Sequence, residues 1–301
     1  MICQYFNMMK FQNKLHMKNK KLIKVFALLV SIVAVFLLSL PTILHKSGLH
    51  PDYIGPSVSL PGKRALVITT SHAVLSKPGE TSGKPTGVFG SEMTHPYYTF
   101  LDGGMEVDIA SIKGGELPID PESFFFMVKT PEDERYLNDP VAQAKVKNSI
   151  PIAEVDMDQY DIIFISGGWG AAYDLAQSPV LAIKVSESYY SDKEPIIGGV
   201  CHGVLGLINA RNNEGNLLIA GRRMTGVTDK QISELGIEFT PKHPETELRR
   251  AGVTFESKTA FLDIFATHVT VDDQQRFVTG QNQNSGLEMA HTMMGILDKR
   301  N

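Results

Sequence analysis

A cysteine and a histidine stand side by side in the segment "IIGGVCHGVLGLINA", residues 196–210. The apolar run before Cys201 predicts a buried strand, and the apolar spacing after it predicts a helix from about His202. A nucleophile at such a turn is exposed above the sheet edge, as in the G-x-S-x-G turn of lipases. The pattern indicates a reactive cysteine, although a cysteine that serves only as a small buried hydrophobic residue would give the same letters.

The residues around Cys201 suit chemistry at sulfur. Gly199 and Gly203 remove side chains that would collide in so tight a turn. The free N–H groups of the first helical turn would favour the thiolate, lower the pKa of Cys201 and hold a developing oxyanion. His202 would supply a base or a stabilising cation if its ring folds back toward the sulfur.

Strand and helix patterns alternate around this turn. Buried strands are predicted at residues 64–70, 105–111, 160–168 and 195–200, weaker strands near 217–220 and 266–271, and helices at 178–191 and about 285–299. Residues 88–101 are expected to be partly helical. Strands separated by helices predict an α/β sandwich of flavodoxin-like type with a mostly parallel central sheet. Sites in such sheets lie at the carboxyl ends of strands, where Cys201 stands.

Four segments resemble one known family. They are "TGVFGSEMTHPYYTF" (86–100), "YDIIFISGGWGAAYDL" (160–175), "GGVCHG" (198–203) and "MTGVTDKQISELG" (224–236). Together they resemble the ThiJ/PfpI superfamily, which is related to class I glutamine amidotransferases, over about residues 64–298. The long segment 114–151 is similar to the branch of heat-shock-type chaperones and glutathione-independent glyoxalases, the glyoxalase III enzymes.

The resemblance implies roles for particular residues. Cys201 matches the family nucleophile, His202 its neighbour, and Glu92 the acid that lies beside the sulfur. A carboxylic acid buried there should have a raised pKa and should donate and shuttle protons. Without the resemblance, Glu92 would be only a glutamate favoured at a helix start.

Three further positions belong to the expected site. Asp229 is the residue expected to orient the histidine, with Glu234 in reserve, although Asp229 would equally suit an N-cap for a helix from about Lys230. Gly168 and Gly170 should turn backbone N–H groups toward the nucleophile. Trp169 stands where relatives carry histidine, so we expect it to shape the pocket and exclude water.

The other histidines suggest less. His243, Pro244 and Glu245 look like the His-Pro-Glu of glutaminases, but the simpler interpretation is a helix that starts at Pro244. His268 is expected in an ordinary strand, and His72 and His95 could lie near the mouth of the site. Their spacing identifies no metal cluster.

Charge and hydropathy divide the chain. The net charge is -4, and residues 1–24 carry six lysines and no acid, which leaves about -10 for the remainder. An acidic body without a basic stripe argues against nucleic acid as a partner. We expect a small carbonyl substrate, a homodimer, and neither cofactor nor metal.

The twenty uncharged residues 25–44 are long enough to span a bilayer as a helix. A cleaved signal peptide and a buried core helix are the alternatives. The expected organisation is a basic cytoplasmic leader (1–24), a transmembrane anchor (25–44), a linker (45–63) and a catalytic domain (64–301) on the extracytoplasmic side.

Two classes of function fit these features. The first is an enzyme that uses Cys201 to convert methylglyoxal to lactate without glutathione, a glyoxalase III-like lyase of D-lactate dehydratase type. The second is a stress-protective chaperone or oxidation sensor without turnover, since an accessible reactive cysteine is readily oxidised. A cysteine peptidase or amidase is a further alternative.

The lysine distribution predicts the topology of the anchor. Lysines before the span should hold the N-terminus in the cytoplasm, so Cys3 and Cys201 would face different compartments and could not pair. Protease added to intact cells or spheroplasts should digest residues 64–301. If residues 64–301 were fully protected in intact cells and digested only after lysis, the domain would lie on the cytoplasmic side instead.

Overall fold

The computed structural model describes residues 2–300, apart from the side chains of residues 2–15, 18 and 19. Cys3 is among those side chains, so its expected lack of a disulfide partner lies outside the described residues, whereas Cys201 is a free, buried cysteine. The chain divides into one unit that ends at Lys46 and a second that begins at Ser47.

The first unit is the long helix α1 (Ile2–Lys46). Its segment Lys20–Lys46 is long and apolar enough to cross a membrane by length and composition, and none of that segment is buried. Ser31 and Ser39, within the apolar stretch, each donate a hydroxyl hydrogen bond to a backbone carbonyl of the preceding turn. An exposed apolar helix of this kind matches the segment expected to be an anchor.

The second unit alternates strands with helices. Its strands are β1 (Arg64–Thr69), β2 (Val74–Leu75), β3 (Lys84–Pro85), β4 (Glu106–Ser111), β5 (Ile150–Pro151), β6 (Ile162–Ile165), β7 (Ile196–Val200), β8 (Arg223–Met224), β9 (Thr254–Phe255), β10 (Val269–Val271) and β11 (Phe277–Gly280). Its helices are α2 (Gly90–Asp102), α3 (Pro131–Leu137), α4 (Pro140–Lys147), α5 (Ala171–Asp174), α6 (Pro179–Tyr190), α7 (Asp229–Glu234), α8 (Pro244–Arg250) and α9 (Gly286–Asp298).

The central sheet has the strand order β10-β11-β7-β6-β1-β4-β5. Adjacent strands of this sheet run parallel to each other, except that β10 runs antiparallel to β11. Alternate residues of a strand point to opposite faces. In β1, Ala65 and Val67 accordingly join the core that packs against α2 and α9, while Leu66 and Ile68 join the core that contains α6. The predicted α/β fold with a mostly parallel, two-sided sheet is confirmed.

Some expectations about local structure are wrong. Residues 217–220 form turns, with only an isolated bridge between Leu217 and Arg211. Two points of the expected linker pack on the second unit, because Leu49 and Leu60 are buried there and the backbone N–H of Leu60 donates to the carbonyl of Gly103. The compact unit that contains the sheet accordingly begins at Ser47, inside the segment expected to be a linker.

The helix after Cys201 also differs from the prediction. It is a short 3-10 helix, Cys201–Gly206, instead of an α-helix. Glycine at two of its six positions disfavours a regular α-helix, because glycine loses the most backbone freedom on folding. Three parts of the fold meet at Cys201: the carboxyl end of β6, the carboxyl end of β7 and the first turn of α2.

Candidate active site

Cys201 directly follows β7 and occupies a strained backbone conformation. Its φ of 56° lies in the left-handed region, which residues other than glycine rarely adopt. Such a conformation costs about 1–3 kcal/mol and persists only where the surrounding structure enforces it. The predicted sharp turn at the cysteine is therefore present, and its side chain reaches the wall of a cavity.

Two glycines allow the chain to pass close to this turn. A Cβ at Gly203 would collide with the backbone carbonyl of Ile165 at the end of β6. A Cβ at Gly167 would lie 2.5 Å from Oε2 of Glu92 and 2.7 Å from the backbone nitrogen of His202. These approaches are closer than any real Cβ contact. The two glycines thus let β6, Glu92 and the 3-10 helix converge.

Glu92 lies in the first turn of α2 and is almost completely buried. Its carboxyl group faces the Cys201 sulfur and the backbone N–H groups of Gly167 and Gly168. Burial raises the pKa of Glu92 to about 8, although these contacts oppose the shift. Oε2 has no hydrogen-bond partner in the structure. A carboxyl group in this state is protonated at neutral pH, which is the state that the family resemblance implies for Glu92.

His202 folds back toward the sulfur, with Nδ1 3.4 Å from Sγ of Cys201. Its ring centroid lies 5.0 Å from that of Trp169, and its Nε2 is buried without a partner. Burial, helped by the nearby His243, lowers the pKa of His202 to about 3. The ring is therefore neutral at physiological pH and is not a resting cation.

The structure contradicts the expectation of a lowered pKa for Cys201. Burial raises the pKa of the thiol, and a negative charge on Glu92 raises it further, while the N–H groups of His202 and Gly168 oppose the shift. A six-residue 3-10 helix has few aligned peptide dipoles to offset this burial. The resting site at neutral pH is accordingly a thiol beside a protonated acid.

The hydrogen bond expected between Asp229 and His202 is not formed. Asp229 is the first residue of α7, which Thr228 caps, and its Oδ2 accepts a hydrogen bond from Thr246 at 2.7 Å. Glu234 instead accepts from the backbone N–H of Asp263 at 2.8 Å. Neither acid contacts the histidine. The partners of both side chains come from distant segments, which local sequence does not specify.

The loop after β6 fulfils its expected role in part. The N–H of Gly168 faces both Glu92 and Cys201. The N–H of Gly170, in contrast, donates to the carbonyl of Gly87 at 3.2 Å and so is not available to the sulfur. Trp169 lines the cavity beside His202, in agreement with a role in shaping the pocket.

The cavity has a volume of about 710 Å³, and Glu92, Cys201 and His202 lie at its base. Its walls are largely apolar; they include Phe124, Phe125, Val128, Leu235, Ile237 and Ile264. The sequence interpretation missed this wall. One visible signal was the run of three phenylalanines at 124–126 within a segment rich in proline and acid.

The remaining histidines lie outside the cavity lining. His72 stacks on Tyr173, and His95 is buried with Nε2 3.5 Å from Glu132, so neither is at the mouth. Pro244 starts α8, which confirms the simpler interpretation of that segment. Within the described residues, no group of three or more His, Cys, Asp or Glu side chains could hold a metal ion.

The fold and the site define an α/β protein with a cysteine on a strained strand-end turn, opposite a buried acid. A family model described as the DJ-1/PfpI family matches residues 86–295, and the chain belongs to this family. This confirms the resemblance found in the sequence motifs.

Individual relatives are similar over most of their length. Glyoxalase 3 of Candida albicans is 29% identical over 226 residues, 72% of this chain and 92% of the relative. The glutathione-independent glyoxalase HSP31 of Saccharomyces cerevisiae is 31% identical over 59% of this chain and 73% of its own.

Solved structures are similar as well. Rapid Encystment Protein 24 kDa of Francisella tularensis has a TM-score of 0.70 at 32% identity, over 78% of this chain and 99% of that chain. Glyoxalase III of Candida albicans has a TM-score of 0.69 at 26% identity, over 78% of this chain and 97% of that chain.

The raised pKa of Glu92 predicts how stability depends on pH. Between the ordinary glutamate value of about 4.5 and about 8, the folded state holds a proton that the unfolded state has lost. The free energy of unfolding should therefore fall as pH rises through this window, by up to ~1.4 kcal/mol per pH unit. Glu92→Gln removes this contribution, so chemical denaturation should show the variant gaining stability relative to wild type as pH rises.

Glu134→Gln is the matched control. Lys129 lowers the pKa of Glu134, so this group titrates below the window and its variant should run parallel to wild type. Parallel curves for wild type and Glu92→Gln would mean that Glu92 ionises normally, against this description of the site.

Proposed function

We propose that this chain is a glutathione-independent glyoxalase that converts methylglyoxal and water to lactate. The observation that carries the proposal is the buried Glu92 carboxyl group, with a pKa of about 8, beside the Cys201 thiol in a cavity wall. A proton donor whose pKa lies near the working pH is well matched to acid–base catalysis. The names of the relatives from Candida albicans and Saccharomyces cerevisiae support the same activity.

The first step is addition of the thiol to the aldehyde. The sulfur of Cys201 bonds to the aldehyde carbon, the carbonyl oxygen takes the proton of Glu92, and Nδ1 of His202, 3.4 Å from the sulfur, takes the thiol proton. Because burial lowers the pKa of His202 to about 3, the histidine holds this proton only briefly. The product is a hemithioacetal on Cys201, with Glu92 now ionised. Glutathione is not needed, since the protein supplies the sulfur.

The second step moves a proton between two carbons. The Glu92 carboxylate removes the hydrogen from the former aldehyde carbon while His202 protonates the neighbouring oxygen, which gives an enediol. Glu92 then returns its proton to the second carbon, and His202 takes the hydroxyl proton from the first. The result is a thioester of lactate on Cys201. The first carbon has been oxidised and the second reduced within the same molecule, so no external oxidant or reductant is needed.

Hydrolysis completes the cycle. Water attacks the thioester, the carbon–sulfur bond breaks, one water proton returns to Glu92 and His202 reprotonates the sulfur. The Gly168 N–H, which faces Cys201 and Glu92, is the backbone donor that supports negative charge at this point. Trp169 limits access of bulk water to the intermediates by occupying the wall beside His202.

We also propose that Lys20–Lys46 anchors the enzyme in a membrane. Twenty consecutive residues of this helix are uncharged, and none of its apolar segment is buried within the structure. Exposed apolar surface on this scale is stabilised by lipid rather than by water. The protease experiment described above tests the side of the membrane on which residues 64–301 lie. Retention of the full-length protein in the membrane pellet after alkaline carbonate extraction tests the anchor itself, and release into the supernatant would contradict it.

The mechanism predicts how turnover responds to single substitutions. Glu92→Gln keeps the shape of the side chain but removes the transferable proton, so kcat for lactate formation from methylglyoxal should fall by ~10²–10⁴. Cys201→Ala should abolish turnover, whereas Glu134→Gln, an exposed carboxylate outside the cavity, should match wild type.

Other outcomes would contradict the proposal in different places. If the wild-type protein formed no lactate from methylglyoxal, the proposed function would be wrong. If His202→Ala abolished turnover while Glu92→Gln remained near wild type, the histidine would be the carbon base and the roles above would be wrong.

A further inference from the structure

The cavity is far larger than methylglyoxal requires. Methylglyoxal has three carbon and two oxygen atoms, whereas a volume of about 710 Å³ is typical of pockets for drug-sized ligands. The reacting groups occupy only the base, where Cys201, Glu92 and His202 are 7%, 1% and 1% exposed. Most of the cavity therefore lies beyond the atoms that react.

The part of the cavity beyond the reacting groups is apolar. Phe124, Phe125 and Val128 contribute to it from the segment around the 3-10 helix Pro121–Phe124. Leu235 and Ile237 contribute from the end of α7 and the residues after it. The half-exposed Phe125 and Leu235 mark its outer rim. An apolar group attached to the reacting carbonyls would thus find apolar side chains from the base outward.

The charge of the lining excludes one class of substrate. Among the described residues, the acids that line the cavity are the protonated Glu92 and the rim residue Glu122, and neither lysine nor arginine joins them. A carbonyl compound that carries a carboxylate would have no cation to pair with it and would face Glu122. The cavity suits neutral compounds.

We infer that the preferred substrates are 2-oxoaldehydes with a bulky apolar substituent, an aryl group or an alkyl chain of several carbons, in place of the methyl group of methylglyoxal. This inference rests on the proposed function and deepens it. The reaction is unchanged: the oxoaldehyde and one water give the 2-hydroxy acid, and the apolar substituent takes no part in bond making.

The substituent should act through binding. Its contacts are the same in the ground state and in the transition state, so it should lower KM and leave kcat similar. Full burial of one methylene corresponds to about a 4-fold gain in affinity. Phenylglyoxal should therefore have a kcat/KM at least ~10-fold above that of methylglyoxal, and a series of linear 2-oxoaldehydes should improve with chain length.

The test uses the full-length protein with methylglyoxal, phenylglyoxal and the linear series. Leu235→Gln should lower the ratio of kcat/KM for phenylglyoxal over methylglyoxal by about 4-fold or more, because it replaces apolar wall with an amide. Leu137→Gln is the matched control: Leu137 is 42% exposed against 43% for Leu235, but it lies on α3 outside the cavity lining. The ratio of kcat/KM for phenylglyoxal over methylglyoxal should be the same in Leu137→Gln as in wild type. Because the two variants are assayed under the same conditions, any loss of apolar substrate to lipid or detergent affects both equally.

A second measurement avoids dependence on the variants. Acetophenone lacks the aldehyde group and should inhibit methylglyoxal turnover competitively, while acetone at the same concentration should not. Methylglyoxal turnover without preference for phenylglyoxal and without inhibition by acetophenone would overturn the inference and leave the proposed function intact. Failure of every oxoaldehyde to react would overturn both.

Discussion

The contact between a buried thiol and a buried carboxyl group is the constraint on which the site depends. Cys201 and Glu92 are not both ionised in so little solvent, because burial disfavours each charge and a negative charge on Glu92 raises the pKa of the Cys201 thiol further. At neutral pH both groups keep their protons, and the carboxyl proton of Glu92 is the one that the first step transfers to the carbonyl oxygen. Burial makes an ionised Glu92 unfavourable in the folded protein. The same burial therefore supplies the site with an acid whose pKa is about 8.

The fold produces this contact by bringing three chain segments together. β7 delivers Cys201 in a left-handed conformation, the loop after β6 delivers Gly167 and Gly168, and the first turn of α2 delivers Glu92. Parallel strands place their carboxyl ends at the same edge, so the order of the sheet determines which segments can meet. The strain at Cys201 is tolerated because the turn lies between the fully buried strand β7 and a 3-10 helix whose six residues are all buried.

Much of this arrangement could be predicted from the sequence. The long apolar runs of β1, β6 and β7 predict buried parallel strands, and the "GGVCHG" motif predicts the turn at Cys201. The pairing of Glu92 with the sulfur came from family resemblance, since a glutamate at a helix start has an ordinary local explanation. Strands and tight turns can be predicted in this way because each is determined by residues that are close together in the sequence.

The remaining features depend on contacts between distant segments. Asp229 bonds Thr246 on α8 instead of His202, and the direction of the Cys201 pKa is set by burial rather than by a helix dipole. The packing of Leu49 and Leu60 and the apolar wall of the cavity likewise come from segments that are far apart in sequence. No local pattern encodes which of several possible partners lies nearby in the folded chain.

The protonation state of Glu92 can be measured directly by infrared difference spectroscopy. With a Glu92 pKa of about 8, the full-length protein at neutral pH should show the carbonyl stretching band of a buried protonated carboxyl group, and the band should disappear as pH rises through about 8. That band should be missing in Glu92→Gln and retained in Glu134→Gln. A neutral-pH spectrum that is the same in wild type and Glu92→Gln would show that Glu92 is ionised beside Cys201, and the proposed proton transfers would then lack their donor.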